Sequence, residues 1–276
     1  MLAQYHKKIL ETVGSHLNVI KLRDFIFKEH EFELDSGSLQ FKCMYFVMDF
    51  ADCGDLEELI RKGVLNENTV KILANDLVNG VEYLHSQNVF HLDIKPENCL
   101  LGTRDDQSVC KYILKLADFN LATSKVVSVN VVGTPSTMCP EFLRNSYAIM
   151  TKQSKLCLEV STNRADAFSV GATLFFSLVG TFPLINQDYY DNKEDFLKKL
   201  FFNGRNELEL NSEIYFDVVR SYIKPISTLV SSECRTFITG LLEVNPEKRT
   251  KIEQGIMDAW MKAESPIMET VGEVTK

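Results

Sequence analysis

The chain has 276 residues, 45% hydrophobic and 25% charged, with a formal net charge of -8 at pH 7. This length allows one large domain or two lobes around a full core, and the composition is that of a soluble globular protein. The acidic balance argues against nucleic acid or an anionic membrane as the main partner. Seven dispersed cysteines with no C-x-x-C pair argue against a disulfide framework or metal cluster, and for a reducing setting in cytoplasm or nucleus. No apolar run is long enough to span a membrane, and the first ten residues lack a signal-peptide core.

In chain order, Tyr5, Ile9 and Val13 repeat every four residues and predict a helix over 1–15. Residues 19–27 and 41–50 are rich in Val, Ile, Phe and Tyr and predict two strands. The polar stretch between them reads as a long connection, with a turn at Asp35-Ser36-Gly37. A short helix over 55–60 follows, with acids in its first turn. Asn68 and Thr69 are cap candidates for a long helix to His85, whose stripe Val70, Leu73, Leu77, Val81, Leu84 faces the core. Gly80 costs that helix about 1 kcal/mol relative to Ala and marks a close packing contact.

Phe90 to Leu101 is a dense polar island between apolar flanks, and residues 99–102 and 112–116 predict a small hairpin beside it. Residues 123–140 read as an ordered loop, and 144–163 have no clear pattern. Residues 166–179 are apolar nearly all round and predict a buried central helix. Further helices are predicted over 193–202, 214–222, 233–242 and 252–260, and the last dozen residues read as a frayed tail.

The chemistry is concentrated at Asp93, Lys95, Asn98 and Asp118. A loop aspartate can accept the proton of an attacking hydroxyl, and a lysine two residues on can neutralise charge on a transferred group. An asparagine amide oxygen and a second aspartate at a strand end can ligate a divalent cation. Together these groups describe phosphoryl transfer from a magnesium nucleotide.

His91-Leu92-Asp93-Ile94-Lys95-Pro96-Glu97-Asn98 resembles the catalytic loop of eukaryotic protein kinases of the serine/threonine type, H-R-D-x-K-P-x-N. Asp118-Phe119-Asn120 is similar to the family's Asp-Phe-Gly, and Cys139-Pro140-Glu141 to its Ala-Pro-Glu. Gly133-Thr134, the run from Asp166 to Gly171, and Arg249 as the partner of Glu141 stand in the family's order. The resemblance implies an α+β fold with a small β-rich N-lobe and a complete, mainly helical C-lobe. Residues 1–262 would form the domain (1–50 the N-lobe, 51–262 the C-lobe), with 263–276 a flexible tail.

The resemblance further implies an ATP-dependent protein serine/threonine kinase. Asp93 and Lys95 would be catalytic, and Asn98 and Asp118 would hold Mg2+. Asp49 and Ala51 of the hinge, Asp55 near the ribose and Leu100 beneath the adenine would hold ATP, with Met48 as gatekeeper. His91 and Phe119 would belong to the regulatory spine, and Asp166 would hold the catalytic-loop backbone. Expected partners are a Ser/Thr-bearing protein substrate and a regulatory protein covering or completing the N-lobe.

Three features depart from the family pattern. No G-x-G-x-x-G occurs before residue 50, and the place of the usual C-helix glutamate falls near His6 or Lys7. The expectation is therefore a truncated N-lobe with the Gly-rich loop and strand-3 lysine region absent. Leu92 stands for Arg and Asn120 for Gly. The alternative they support is a pseudokinase acting as a scaffold or allosteric partner.

Overall fold

A computed structural model describes residues 2–34, 37–104, 110–202, 220–221, 225–226, 230–255 and 258–262. The chain opens with helix α1 (Leu2–Val13), which buries Ile9, Leu10 and Val13 at the predicted spacing. Strands β1 (Leu22–Leu34) and β2 (Gly37–Met48) then form an antiparallel pair. These strands are longer than predicted, because residues 28–34 and 37–40 of the polar stretch read as a connection are themselves ribbon, while Asp35 and Ser36 of the predicted turn lie outside the described residues. Its polar residues satisfy one another across the strands: Glu29 meets Lys42 at 2.7 Å, and Gln40 donates to Glu31 at 3.3 Å. Cross-strand pairing of this kind stabilises a ribbon that alternation alone does not reveal.

The larger lobe begins at α2 (Leu56–Arg61) and α3 (Glu67–Ser86). The side chain of Asn66 caps α3 by accepting from Thr69 N at 2.9 Å, so the cap lies ahead of both predicted candidates, Asn68 and Thr69. The predicted stripe of α3 is buried along its length. A Cβ on Gly80 would lie 2.7 Å from the carbonyl oxygen of Asn18. That oxygen is fixed, because it accepts from Leu116 N while Asn18 Nδ2 donates to Leu114 O. Gly80→Ala is therefore expected to destabilise the fold by about 1–3 kcal/mol, the usual cost of overpacking, despite the better helix propensity of alanine. Denaturant unfolding of the two proteins measures this, and an unchanged midpoint would contradict it.

Strands β3 (Cys99–Thr103) and β4 (Tyr112–Leu116) form the predicted hairpin. A parallel bridge from Val19 to Leu116, with Ile20 N donating to Leu116 O, ties the entry to β1 onto this hairpin. The two lobes therefore meet through backbone hydrogen bonds as well as side chains. Strand β5 (Val127–Ser128), inside the stretch read as loop, pairs with β6 (Val160–Ser161), inside the stretch without clear pattern.

Helix α4 (Pro140–Met150) occupies residues with no clear sequence pattern. The signal was at its start, where Pro140 sits in the first turn beside Glu141, a favoured pair at a helix N-terminus. Helix α5 (Thr162–Val179) is the buried pillar and begins a turn earlier than predicted. Helix α6 (Gln187–Asp191) was not predicted, whereas α7 (Lys193–Phe202) was. The helix predicted over 214–222 falls mostly outside the described residues, as does the tail over 263–276. Helix α8 (Ser232–Leu241) follows the prediction closely, and residues 252–260 divide into α9 (Ile252–Gly255) and the start of α10 (Ala259–Lys262).

One apolar core runs from Ile9 through α3 and α5 to Trp260. Its lower end is pinned by Glu67, which accepts from Ser231 N, Ser231 Oγ and Trp260 Nε1. Burial alone would raise the Glu67 carboxyl, but these donors outweigh it and hold it below the ordinary glutamate value. A lowered folded-state pKa stabilises the fold above the unfolded value, and that stability is lost as pH falls through the folded one. Melting of the wild type is thus expected to exceed that of Glu67→Gln at neutral pH, with the gap closing as pH drops below about 4.5. A gap that stays constant across this window would refute the assignment. No helix among the described residues is long and apolar enough to cross a membrane.

Candidate active site

The site sits where the island from Phe90 to Leu101 meets the segment after β4. Asp166 of α5, fully buried, accepts from His91 N at 2.9 Å and from Leu92 N at 2.8 Å. His85 Nε2 is also 2.9 Å from this carboxylate. Leu92 is thereby held at φ 62°, in the left-handed region that a leucine rarely occupies. Gly133 packs over it, and a Cβ there would lie 2.6 Å from Leu92 O. The expected role of Asp166 as the anchor of this backbone is what the geometry displays.

His91 is wholly buried, and burial lowers its pKa. Its Nε2 faces Ala117 O at 2.9 Å and must donate to it, which leaves Nδ1 to accept from Asp93 N at 3.2 Å. A neutral ring with both nitrogens occupied is a packing and orienting group. It stacks at a tilt against Phe119, with centroids 5.1 Å apart.

These contacts present Asp93, itself mostly buried, to the cleft. The Thr134 hydroxyl donates to Asp93 Oδ1 at 2.7 Å. Lys95 Nζ donates to Thr134 Oγ1 at 3.1 Å and lies 3.4 Å from Asp93 Oδ2. Asn98 Nδ2 donates to Asp93 O at 2.8 Å and to Asp93 Oδ2 at 3.2 Å. With its nitrogen committed, the Asn98 amide keeps its oxygen for another partner. Asp118 is exposed at φ 62°, and Asn120 N donates to its Oδ1 at 3.3 Å. An amide oxygen and a carboxylate are hard donors, the set that magnesium takes. The two residues therefore fit that ion.

A cavity of about 410 Å3 opens beside them, lined by Asn98 and Asp118 together with Met48, Leu100 and Phe46. Leu100 and Met48 both line this cavity. Asp49, Ala51 and Asp55 are not among its lining residues. The Asp49 carboxylate pairs with Arg23, and the Asp55 carboxylate accepts from Glu58 N at 2.8 Å as the cap of α2. Sequence reasoning missed Phe46, Leu10 and His6 as lining residues. Their signal was spacing: Phe46 and Met48 are alternate residues of one strand, and His6 and Leu10 are four apart on one helix.

Comparison with known proteins bears on this geometry. A protein kinase domain model matches residues 4–261. The chain belongs to the protein kinase family. It is 26% identical over 263 residues to the probable serine/threonine-protein kinase fhkA of Dictyostelium discoideum, covering 90% of this chain and 40% of that protein. It is 28% identical over 275 residues to the ovarian-specific serine/threonine-protein kinase Lok of Drosophila melanogaster, covering 98% and 48%. The chain thus spans about half or less of the length of these relatives. A solved structure of the Rad53 kinase domain and SCD2 in complex with AMPPNP shares the fold at TM-score 0.63 and 20% identity, covering 97% of this chain and 82% of that one.

These findings correct the expectation of a truncated N-lobe with the Gly-rich loop and strand-3 lysine region absent. The family match begins at residue 4, and the shared fold takes in both lobes of a bilobal kinase domain. That expectation was read from short motifs. The match instead runs through residues 4–261, so residues 4–50 are part of it. Use of ATP and Mg2+ is general to the kinase family.

Proposed function

We propose that this kinase domain transfers the γ-phosphoryl group of ATP to serine or threonine hydroxyls of a protein substrate. The observation that carries the reading is the bonded set Asp93, Thr134, Lys95 and Asn98 at the mouth of the cleft. A non-catalytic protein has no need to hold a carboxylate, an ammonium and an amide in this register.

In this reading Asp93 accepts the proton of the attacking hydroxyl. Lys95, already beside Asp93, offsets charge on the phosphoryl group in transit. Thr134 fixes the carboxylate and brings the substrate-docking segment against it. Asn98 and Asp118 would hold magnesium, whose chemistry there is neutralisation of phosphate oxygens. Met48 and Leu100 give the adenine ring apolar walls. Asp49, Ala51 and Asp55 can take part only through backbone groups or free carboxylate edges, because both carboxylates already have partners. The protein partners of this reading are the phosphoacceptor substrate and a regulator bound on the small lobe. The dispersed cysteines favour cytoplasm or nucleus as the setting.

The test is transfer of labelled γ-phosphate from MgATP to a mixed Ser/Thr peptide pool. Transfer that needs magnesium is the expected result. Nucleotide binding without any transfer would overturn the kinase reading in favour of the scaffold, for which Leu92 and Asn120 are the specific grounds.

A further inference from the structure

The cleft poses a charge problem for the ligand proposed above. Its lining includes two carboxylates, Asp118 and Glu97, and a nucleotide polyphosphate would add several more negative charges. A site for such a ligand needs cationic donors to the phosphate oxygens as well as metal ligands. Lys95, held by Asp93 and Thr134 on the substrate side, serves the phosphoryl group in transit and does not line the cavity. Nearby cations point elsewhere: Lys7 meets Glu11 at 3.5 Å and lies over the Phe25 ring, Arg23 pairs with Asp49, and Lys115 Nζ donates to Leu17 O. Among the described residues lining the cavity, His6 is the one side chain able to carry positive charge.

We propose that His6 is a phosphate-contacting residue of this cleft, donating from its imidazole to the polyphosphate of a bound nucleotide. The inference rests on the proposed function, since it assigns one residue to the ligand of that site. His6 is half-buried on α1 and lines the same cavity as Asn98, Asp118 and Asn120. Its helix is held firmly enough to present it. Ile9, Leu10 and Val13 are buried below it, Tyr83 OH donates to Val13 O at 2.7 Å, and Tyr5 OH donates to Thr123 Oγ1 at 3.3 Å. The Tyr5 bond ties the helix to the segment that follows Asp118, and His6 and Asp118 line one cavity. Its imidazole carries two nitrogens, of which one donates in either neutral tautomer and both in the cation.

Calorimetric titration of the whole chain with MgATP, MgADP and adenosine separates the phosphate contact from the adenine contact. His6→Ala is expected to weaken MgATP and MgADP about tenfold, the scale of one charge-assisted hydrogen bond. Adenosine affinity should stay within about twofold, which also shows that the variant's cleft is intact. His6→Lys should recover most of the MgATP affinity, a rescue that a shape-only role would not give. Unchanged MgATP affinity in His6→Ala, or a parallel loss for adenosine, overturns the assignment of His6 alone. A wild type that binds neither MgATP nor adenosine overturns the proposed function and this inference with it.

Discussion

Replacing Asp93 by asparagine is expected to lower the rate of phosphoryl transfer by about 10^2–10^4, the usual range for loss of a general base. The change is nearly isosteric, so its effect is chemical. The carboxylate that accepts the Thr134 hydroxyl at 2.7 Å becomes an amide with one acceptor and no charge. The Lys95 ammonium, 3.4 Å from Asp93 Oδ2, loses its counter-charge. The backbone bond from Asn98 Nδ2 to Asp93 O is untouched, as are the bonds from His91 and Leu92 to Asp166. Nucleotide affinity and melting temperature are therefore expected to change little. Single-turnover transfer, nucleotide titration and thermal melting check the three parts separately. A variant that transfers phosphate at the wild-type rate would remove Asp93 from the mechanism. One that fails to fold would show that the island is held by its charge rather than by its backbone.

Arg249→Ala is expected to cost about 3–5 kcal/mol of stability, because it leaves a buried carboxylate without its ion partner. Arg249 is almost wholly buried and donates to both oxygens of Glu141, at 3.0 and 2.8 Å. It also donates to the carbonyls of Glu243, Arg164 and Val244, and its guanidinium lies 5.2 Å from the centre of the Phe168 ring. One side chain thus joins the start of α4, the start of α5 and the turn after α8. A protein of this size should lose about 10 °C in melting temperature for that cost. The surface pair of Arg220 with Glu243 supplies the contrast. It is substantially exposed, and Arg220→Ala should cost under about 1 kcal/mol. Equal losses for the two arginines would mean that burial of the Glu141 pair does not govern its strength.

Much of the site was legible in the sequence because its parts are close in the chain. Asp93, Lys95 and Asn98 share one short loop, and the helix behind them announced itself by the stripe from Val70 to Leu84. The buried helix from Asp166 and the helix over 193–202 were equally plain, since a long apolar face or a strong 3.6-residue period needs no distant partner to be read. The ribbon over 28–34 and 37–40 was hidden for the opposite reason. Its charged residues look like a loop until Glu29 is set across from Lys42. Helix α4 was hidden because both its faces are buried among other elements, which erases the amphipathic pattern.

The sequence by itself determined the chemistry: which groups could move a proton, hold a cation and offset a phosphate charge. The tertiary structure alone decided which of them meet. Thr134 reaches Asp93 across 41 residues, and Trp260 reaches Glu67 across 193. It brought His6 of the first helix to the cavity that Asp118 lines, and it turned the carboxylates of Asp49 and Asp55 to Arg23 and to a helix cap. Local patterns encode what a residue can do within a few bonds of the chain. Contacts between distant segments depend on how whole faces pack, and a single sequence carries that information only in the sum of its core.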